Sequence, residues 1–200
     1  MQYYTYYKTL PVFLATRGLI FLMVGIYLYS FIDPYKLLTN FSYANSVGET
    51  NILRQFLPTL LHLNFVHLFL NLTAFWILSD VISKKEGGWI SILIFIVSGY
   101  TGNIAQANLI DPSFLGVSGV VFGQAGFVLM MKFLYTPERY KEIPYTVVLN
   151  LGILLFVGFL VNNMNLSFKM ANMAHLFGML GGMAFAFPYY FISVRRKKKK

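Results

Sequence analysis

The chain has 200 residues, 57% of them hydrophobic and 12% charged, with a mean hydropathy of +0.61 and no cysteine. Soluble domains carry roughly 25% charged residues, so this composition excludes one, and the missing cysteine removes disulfides, thiolate metal sites and cysteine nucleophiles together. The net charge of +9 does not argue for nucleic acid, because the terminal Arg195-Arg196-Lys197-Lys198-Lys199-Lys200 follows a hydrophobic segment, as a cytoplasmic anchor facing anionic lipid does.

A membrane span takes about 20 apolar residues. Six such segments can be drawn, at about 11–32, 56–80, 89–108, 116–135, 145–163 and 170–192, with a basic tail at 193–200. Together they use nearly the whole length, which predicts an all-α membrane protein, a six-transmembrane-helix bundle with residues 1–200 as a single membrane domain. The first run has no convincing cleavage site and reads as a first transmembrane helix, not a signal peptide. With six spans, Lys8, Lys84, Lys85, Lys132, Arg139, Lys141 and the terminal cluster all fall on one side. The other side keeps Lys36, Arg54 and Lys169 and carries Asp33, Glu49 and Asp111. The excess of basic residues makes the first side the cytoplasm, with both termini inside.

The first external connection, from Asp33 to Gln55, is long for a helix–helix link and is expected to be functional or disordered. Its Tyr35, Phe41 and Tyr43 place it on the bilayer interface. Read as a helix, the second segment carries His62, Asn64, His67 and Asn71 into an apolar stretch. His67 and Asn71 are four apart and share a face. Polar groups in a span are costly unless they face the bundle interior or a wet cavity, which makes them functional candidates.

The fourth segment opens on Gly116-Val117-Ser118-Gly119 and continues through Phe122, Gly123 and Gly126. The sixth carries Ala174-His175 with Gly178, Gly181 and Gly182. Gly119/Gly123 and Ala174/Gly178/Gly182 are faces of small residues, which allow two helix backbones to approach closely. Both segments enter from the outside, so Ser118 and His175 lie at similar depth. A serine is a poor nucleophile without a base, and His175 is the best base available. No carboxylate lies at the right depth, so the expected arrangement is a Ser118–His175 dyad. Acyl transfer also needs donors for the oxyanion; His67 and Asn71 supply side-chain donors, and the backbone N–H groups around Val117 and Ser118 supply more.

The three motifs His62-Leu-Asn-Phe-Val-His67-Leu-Phe-Leu-Asn71, Gly116-Val117-Ser118-Gly119 and Ala174-His175-Leu-Phe-Gly178 resemble, in order and spacing, the rhomboid family of intramembrane serine proteases, in particular small bacterial inner-membrane members. The similarity runs from about Arg54 to about Ala186. It implies a six-helix core, Ser118 as nucleophile, His175 as base, and His67, Asn71 and local backbone N–H groups as the oxyanion hole. It also implies a first external loop lying sideways in the outer leaflet, and a gate and cap at Tyr145–Asn163 and Met164–Lys169. Gly116, Gly119, Phe122 and Asn172 are expected to support the site, Asn172 within the run that leads to the histidine.

Two positions depart from the family pattern. Phe122 stands where many members stack a tyrosine on the histidine, and Leu53-Arg54 stands for a Trp-Arg pair. The soluble amino-terminal domain found on some relatives is not expected.

The bland readings are that Ser118 bonds back to a helix, that His62 is structural, and that the glycine spacing serves packing only. Three histidines can hold a metal, but with no nearby carboxylate or cysteine and no HExxH pair, no metal or other cofactor is expected. The expected partners are transmembrane protein substrates and the lipid bilayer, with no nucleic acid; no motif speaks to oligomeric state. The rival reading is a non-catalytic relative that binds transmembrane helices, with a small-solute transporter third. The lack of any visible internal repeat disfavours the transporter.

Overall fold

The computed structural model describes residues 10–44, 52–135, 137–164 and 169–198, with side chains described between Thr16 and Ser193. Among these residues every regular element is helical: α1 (Leu10–Tyr29), α2 (Pro34–Phe41), α3 (Ile52–Phe56), α4 (Phe65–Glu86), α5 (Gly88–Leu109), α6 (Ser118–Leu134), α7 (Tyr145–Asn163) and α8 (Asn172–Lys198). Single 3₁₀ turns at Leu57–Leu60 and Pro137–Tyr140 complete the set. Four of the helices, α4, α5, α7 and α8, are long and apolar enough to cross a membrane, and the Thr16–Tyr29 part of α1 and all of α6 are shorter apolar helices. The protein is an integral membrane protein of the all-α class.

The long connection after α1, expected to be functional or disordered, carries two short helices, α2 and α3, in its described residues. Asp33 caps α2, its carboxylate accepting the Lys36 N–H at 2.9 Å, with Pro34 at the first helical position. Arg54 on α3 donates to the Thr39 carbonyl at 2.9 Å and so ties the two short helices together. Tyr43 rests on Phe114 at 5.5 Å between ring centroids, and Tyr100 and Asn103 on α5 bond Gln55. Residues 45–51, including Gly48 and Glu49, lie outside the described residues, as do Lys8, Lys199, Lys200 and 165–168 of the expected cap.

The segment expected as one helix over 56–80 is divided. The chain makes a 3₁₀ turn at Leu57–Leu60, extends at Leu61, and begins α4 only at Phe65. Proline at 58 has no N–H to continue a helix. Asn64, in extended backbone, accepts the His67 N–H at 2.8 Å with its side chain and starts a new helix as a cap. His62 and Asn64 therefore precede the helix that carries His67 and Asn71. At its other end α4 runs on to Glu86, where Gly87 at φ +92 turns the chain directly into α5.

The centre of the bundle is α6. Val120, Val121, Phe122, Ala125, Phe127, Val128 and Met131 are all buried among α4, α5 and α8. Its 17 residues make a rod of about 26 Å, short of the ~30 Å hydrocarbon core. The seam with α8 is backbone against backbone: a Cβ at Gly178 or Gly182 would run into the carbonyl oxygens of Gly119 and Gly123. Small residues at four-residue spacing on both helices are what permit this approach.

By contrast α7 buries only Val148 and Gly158 and leaves Leu149, Ile153, Phe156 and Leu160 exposed, a face suited to lipid. It is held at its two ends. Lys132 donates to the Ile143 carbonyl and sits 4.4 Å from the Tyr145 ring centre; at the other end Asn162 bonds Met170 through both atoms of its amide. Toward the Lys132 end, the buried Glu86 carboxylate accepts from Arg139, Tyr140 and Tyr189, joining the end of α4, the 3₁₀ turn before α7, and α8 just beyond Pro188.

Candidate active site

Ser118 is the first residue of α6, and the chain before it explains its placement. Gly116 has φ +119, a left-handed conformation that favours glycine, and its N–H donates to the Pro58 carbonyl at 3.0 Å. A Cβ there would also lie 2.9 Å from Cε1 of His67 and 3.1 Å from its Nε2. Glycine thus meets two demands, the backbone turn and the close approach of the His67 ring. Val117 follows, wholly buried, and its carbonyl accepts the N–H groups of Val120 and Val121. The first N–H groups of a helix have no intrahelical acceptor, so Ser118 and Gly119 sit at the positive end of α6.

His175 lies in the first turn of α8. Its Nε2 is 2.8 Å from the Ser118 Oγ, and its ring stacks on Phe122 at 4.5 Å between centroids and an interplanar angle of 9°. Both rings are buried. Nδ1 of His175 has no hydrogen-bond partner among the described residues, and no carboxylate reaches it. If Nε2 accepts the serine proton, Nδ1 must carry the ring's own hydrogen.

Of the remaining expected site residues, His67 faces Gly116 and receives the Leu63 N–H at Nδ1 across 3.5 Å. That tautomer leaves the hydrogen on Nε2, which points toward the Gly116–Ser118 turn. Asn71 donates to the His67 carbonyl at 2.8 Å, so one of its two N–H bonds is committed within α4. Asn172 is the first residue of α8; its N–H donates to the Met170 carbonyl at 2.9 Å. Its side-chain amide is buried against Gly158 of α7 with no hydrogen-bond partner among the described residues. His62 is buried beside His67, with 5.3 Å between ring centroids. Among the described residues no group of three or more His, Cys, Asp or Glu is placed to hold a metal.

Sequence reasoning passed over the residues that set the angle of α8. Gln106, buried on α5, accepts the N–H groups of Met173 and Ala174 at 3.0 and 3.4 Å, acting as a cap supplied by a neighbouring helix. One turn earlier Gly102 admits the Ala174 carbonyl, and Thr101 donates to the Phe177 carbonyl at 3.1 Å. The histidine is thus held on both sides in sequence by α5. The signal was present: an uncharged amide in a span is as informative as a buried histidine.

A family model described as Rhomboid domain matches residues 49–191. The chain is 26% identical over 196 residues to "Putative rhomboid protease YdcA" of Bacillus subtilis (strain 168), covering 97% of this chain and 92% of that protein. It is 28% identical over 125 residues to "Rhomboid protease GluP" of the same organism, covering 62% of this chain and 24% of that longer protein.

Proposed function

The chain belongs to the rhomboid family, and on that premise we propose that it is an intramembrane serine endopeptidase acting through Ser118 and His175. The observation that carries this reading is the 2.8 Å contact between the Ser118 Oγ and the His175 Nε2, made between two helices in a partly buried setting. A hydroxyl and an imidazole at that distance are within reach for direct proton transfer.

In the proposed reaction Ser118 Oγ attacks the scissile carbonyl while His175 Nε2 takes its proton. The negative charge that develops on the carbonyl oxygen meets the N–H groups at the start of α6 and the Nε2–H of His67, with Asn71 as a further donor. Each such donor is worth about 10²–10³ in rate in a well-studied soluble case. His175 then hands its proton to the leaving amine, and water releases the acyl group. Phe122 fixes the imidazole plane, and no carboxylate takes part.

The substrate is a transmembrane segment of another protein, cut near the outer face. Local unwinding must precede attack, because a regular helix engages its carbonyls in its own hydrogen bonds. Six spans, the second beginning at Phe65 instead of near residue 56, both termini in the cytoplasm and residence in a bacterial inner membrane complete the reading. The basic residues at the end of α8 meet anionic lipid.

The test is cleavage of a single-span substrate by protein in liposomes, beside Ser118→Ala and His175→Ala, with fluorophosphonate labelling of the serine. Cleavage and labelling by the wild type and neither by Ser118→Ala is the expected result. A folded wild type that does neither, yet retains transmembrane peptides, moves the helix-binding reading ahead.

A further inference from the structure

The side-chain amide of Asn172, at the start of α8, is a polar group that the closed bundle leaves idle. It is 3% exposed, and neither its Oδ1 nor its Nδ2 has a hydrogen-bond partner among the described residues. A buried amide in that state forfeits the bonds it makes in water, so keeping one at this position works against the stability of the closed form. What covers it belongs to α7. Gly158 lies so close that a Cβ there would run into the Asn172 Oδ1. Gly158 and Val148 are the buried residues of α7, so the amide is capped by a helix that little else holds along its length.

The same part of the fold shows what an asparagine amide pairs with here. Asn162 of α7 donates from Nδ2 to the Met170 carbonyl at 2.7 Å and accepts the Met170 N–H at Oδ1 across 2.8 Å, serving both backbone groups of one residue in the non-helical chain before α8. Extended chain presents the N–H and C=O of one residue to the same side, whereas a helix takes both up along its axis. Asn172 offers the same donor and acceptor in one plane, and both are unused. It precedes His175 by three residues, so the two side chains share a face of α8, about 4.5 Å apart along the axis. The amide therefore sits one turn from the imidazole, beneath the helix that closes over it.

We propose that Asn172 binds the backbone of the unwound substrate, pairing through Oδ1 and Nδ2 with the N–H and C=O of one residue close to the scissile bond. The inference rests on the protease reading above. Substrate reaches the amide when α7 moves away from α8 at Gly158, and the new bonds offset part of the cost of that movement because they give partners to groups that had none. A helical substrate cannot make them, so Asn172 favours chain that has lost its helix over chain that has not. Gly158 lets α7 cover the amide again once the product has gone. The contact is to backbone, so it selects conformation and leaves side-chain identity to other parts of the site.

The test exchanges backbone amides of the substrate for esters, each of which removes one N–H. Full-length protein in liposomes is given a single-span substrate in which the amides on either side of the scissile bond are replaced one at a time, and wild type is compared with Asn172→Leu and Asn172→Ala. The expected result is one ester position at which kcat/KM of wild type falls about tenfold while both variants lose less than about twofold, the mark of a bond between that N–H and Asn172. With the all-amide substrate, both variants are expected to lose about tenfold in the ratio of cleavage rate to fluorophosphonate labelling rate. Asn172→Leu is expected to melt no lower than wild type, since it removes a polar group that had no partner. An ester scan that affects wild type and variants alike at every position overturns the proposal. Cleavage and labelling that fall in equal proportion, with a lower melting temperature in both variants, overturn it as well, since that is the mark of a purely structural role. A folded wild type that neither labels nor cleaves brings down the protease reading itself, an outcome distinct from either of these.

Discussion

The side-chain oxygen of Gln106 accepts the backbone N–H of Met173 at 3.0 Å, two residues before His175, and so sets the first turn of α8 from α5. Replacing it with leucine removes the acceptor and leaves two buried helix N–H groups unpaired, whereas glutamate keeps an acceptor oxygen in the same place. Gln106→Leu is expected to reduce kcat and the fluorophosphonate labelling rate about tenfold with little change in KM, and Gln106→Glu to stay within about threefold of wild type. Equal losses in both variants would show that the capping oxygen is not what matters.

Along the α6–α8 seam, a methyl group at Gly178 would meet the Gly119 carbonyl. Gly178→Ala should cost about 1–3 kcal/mol by forcing the helices apart, seen as a lower melting temperature in detergent, and should slow Ser118 labelling because it widens the gap to His175. At Gly152, in the middle of α7, a methyl group would meet no atom within 4 Å. There Gly→Ala should be neutral or stabilising by up to about 1 kcal/mol, from helix propensity alone.

Asn162 holds the carboxyl-terminal end of α7 to Met170 by two hydrogen bonds of 2.7 and 2.8 Å. With few buried contacts elsewhere along α7, these bonds are a large share of what keeps that end in place. Asn162→Ala is expected to raise the labelling rate of a bulky fluorophosphonate about three- to tenfold relative to a small one, at about 1–2 kcal/mol of stability. No change in that ratio would mean that the carboxyl-terminal end of α7 does not limit access.

Glu86 is the hub of the opposite end. Burial and the adjacent Glu86 carboxylate push the Tyr140 phenol well above its ordinary range, so it remains a hydrogen-bond donor. Arg139 is only 18% exposed at its side chain, and Glu86 2%. Removing the carboxylate leaves a largely buried guanidinium without its counter-charge, a loss of about 3–5 kcal/mol for a buried pair. Glu86→Gln should therefore lower the melting temperature sharply. Activity per folded molecule should change less than about twofold, since α4 places Glu86 about 28 Å along its axis from His67.

How much of this was legible in advance differs from element to element. The membrane class, the helical fold and the family followed from composition, from apolar runs of span length, and from three motifs in order. The small faces around Gly119/Gly123 and Gly178/Gly182 pointed to a close seam, and that seam is present. The division at 57–64 was less visible, because an apolar run reads alike as helix, turn or extended chain. Only the pairing of Pro58 with the Asn64 cap settles it, and an asparagine cap is recognisable once its acceptor bond to His67 N–H is seen. The α2 helix was hidden for a similar reason, since a polar, aromatic loop and a short helix that buries one side have nearly the same composition.

Hydropathy and residue chemistry, which are local properties, determined by themselves that this chain enters a membrane and which few polar groups must justify their place there. The distance between Ser118 and His175, the tautomer that Leu63 imposes on His67, the cap that Gln106 lends to α8, and the closing of α7 over the Asn172 amide were decided only by tertiary structure. Each depends on atoms from separate segments of the chain meeting within a few ångströms. That proximity arises from the packing of whole helix faces, not from the residues that meet.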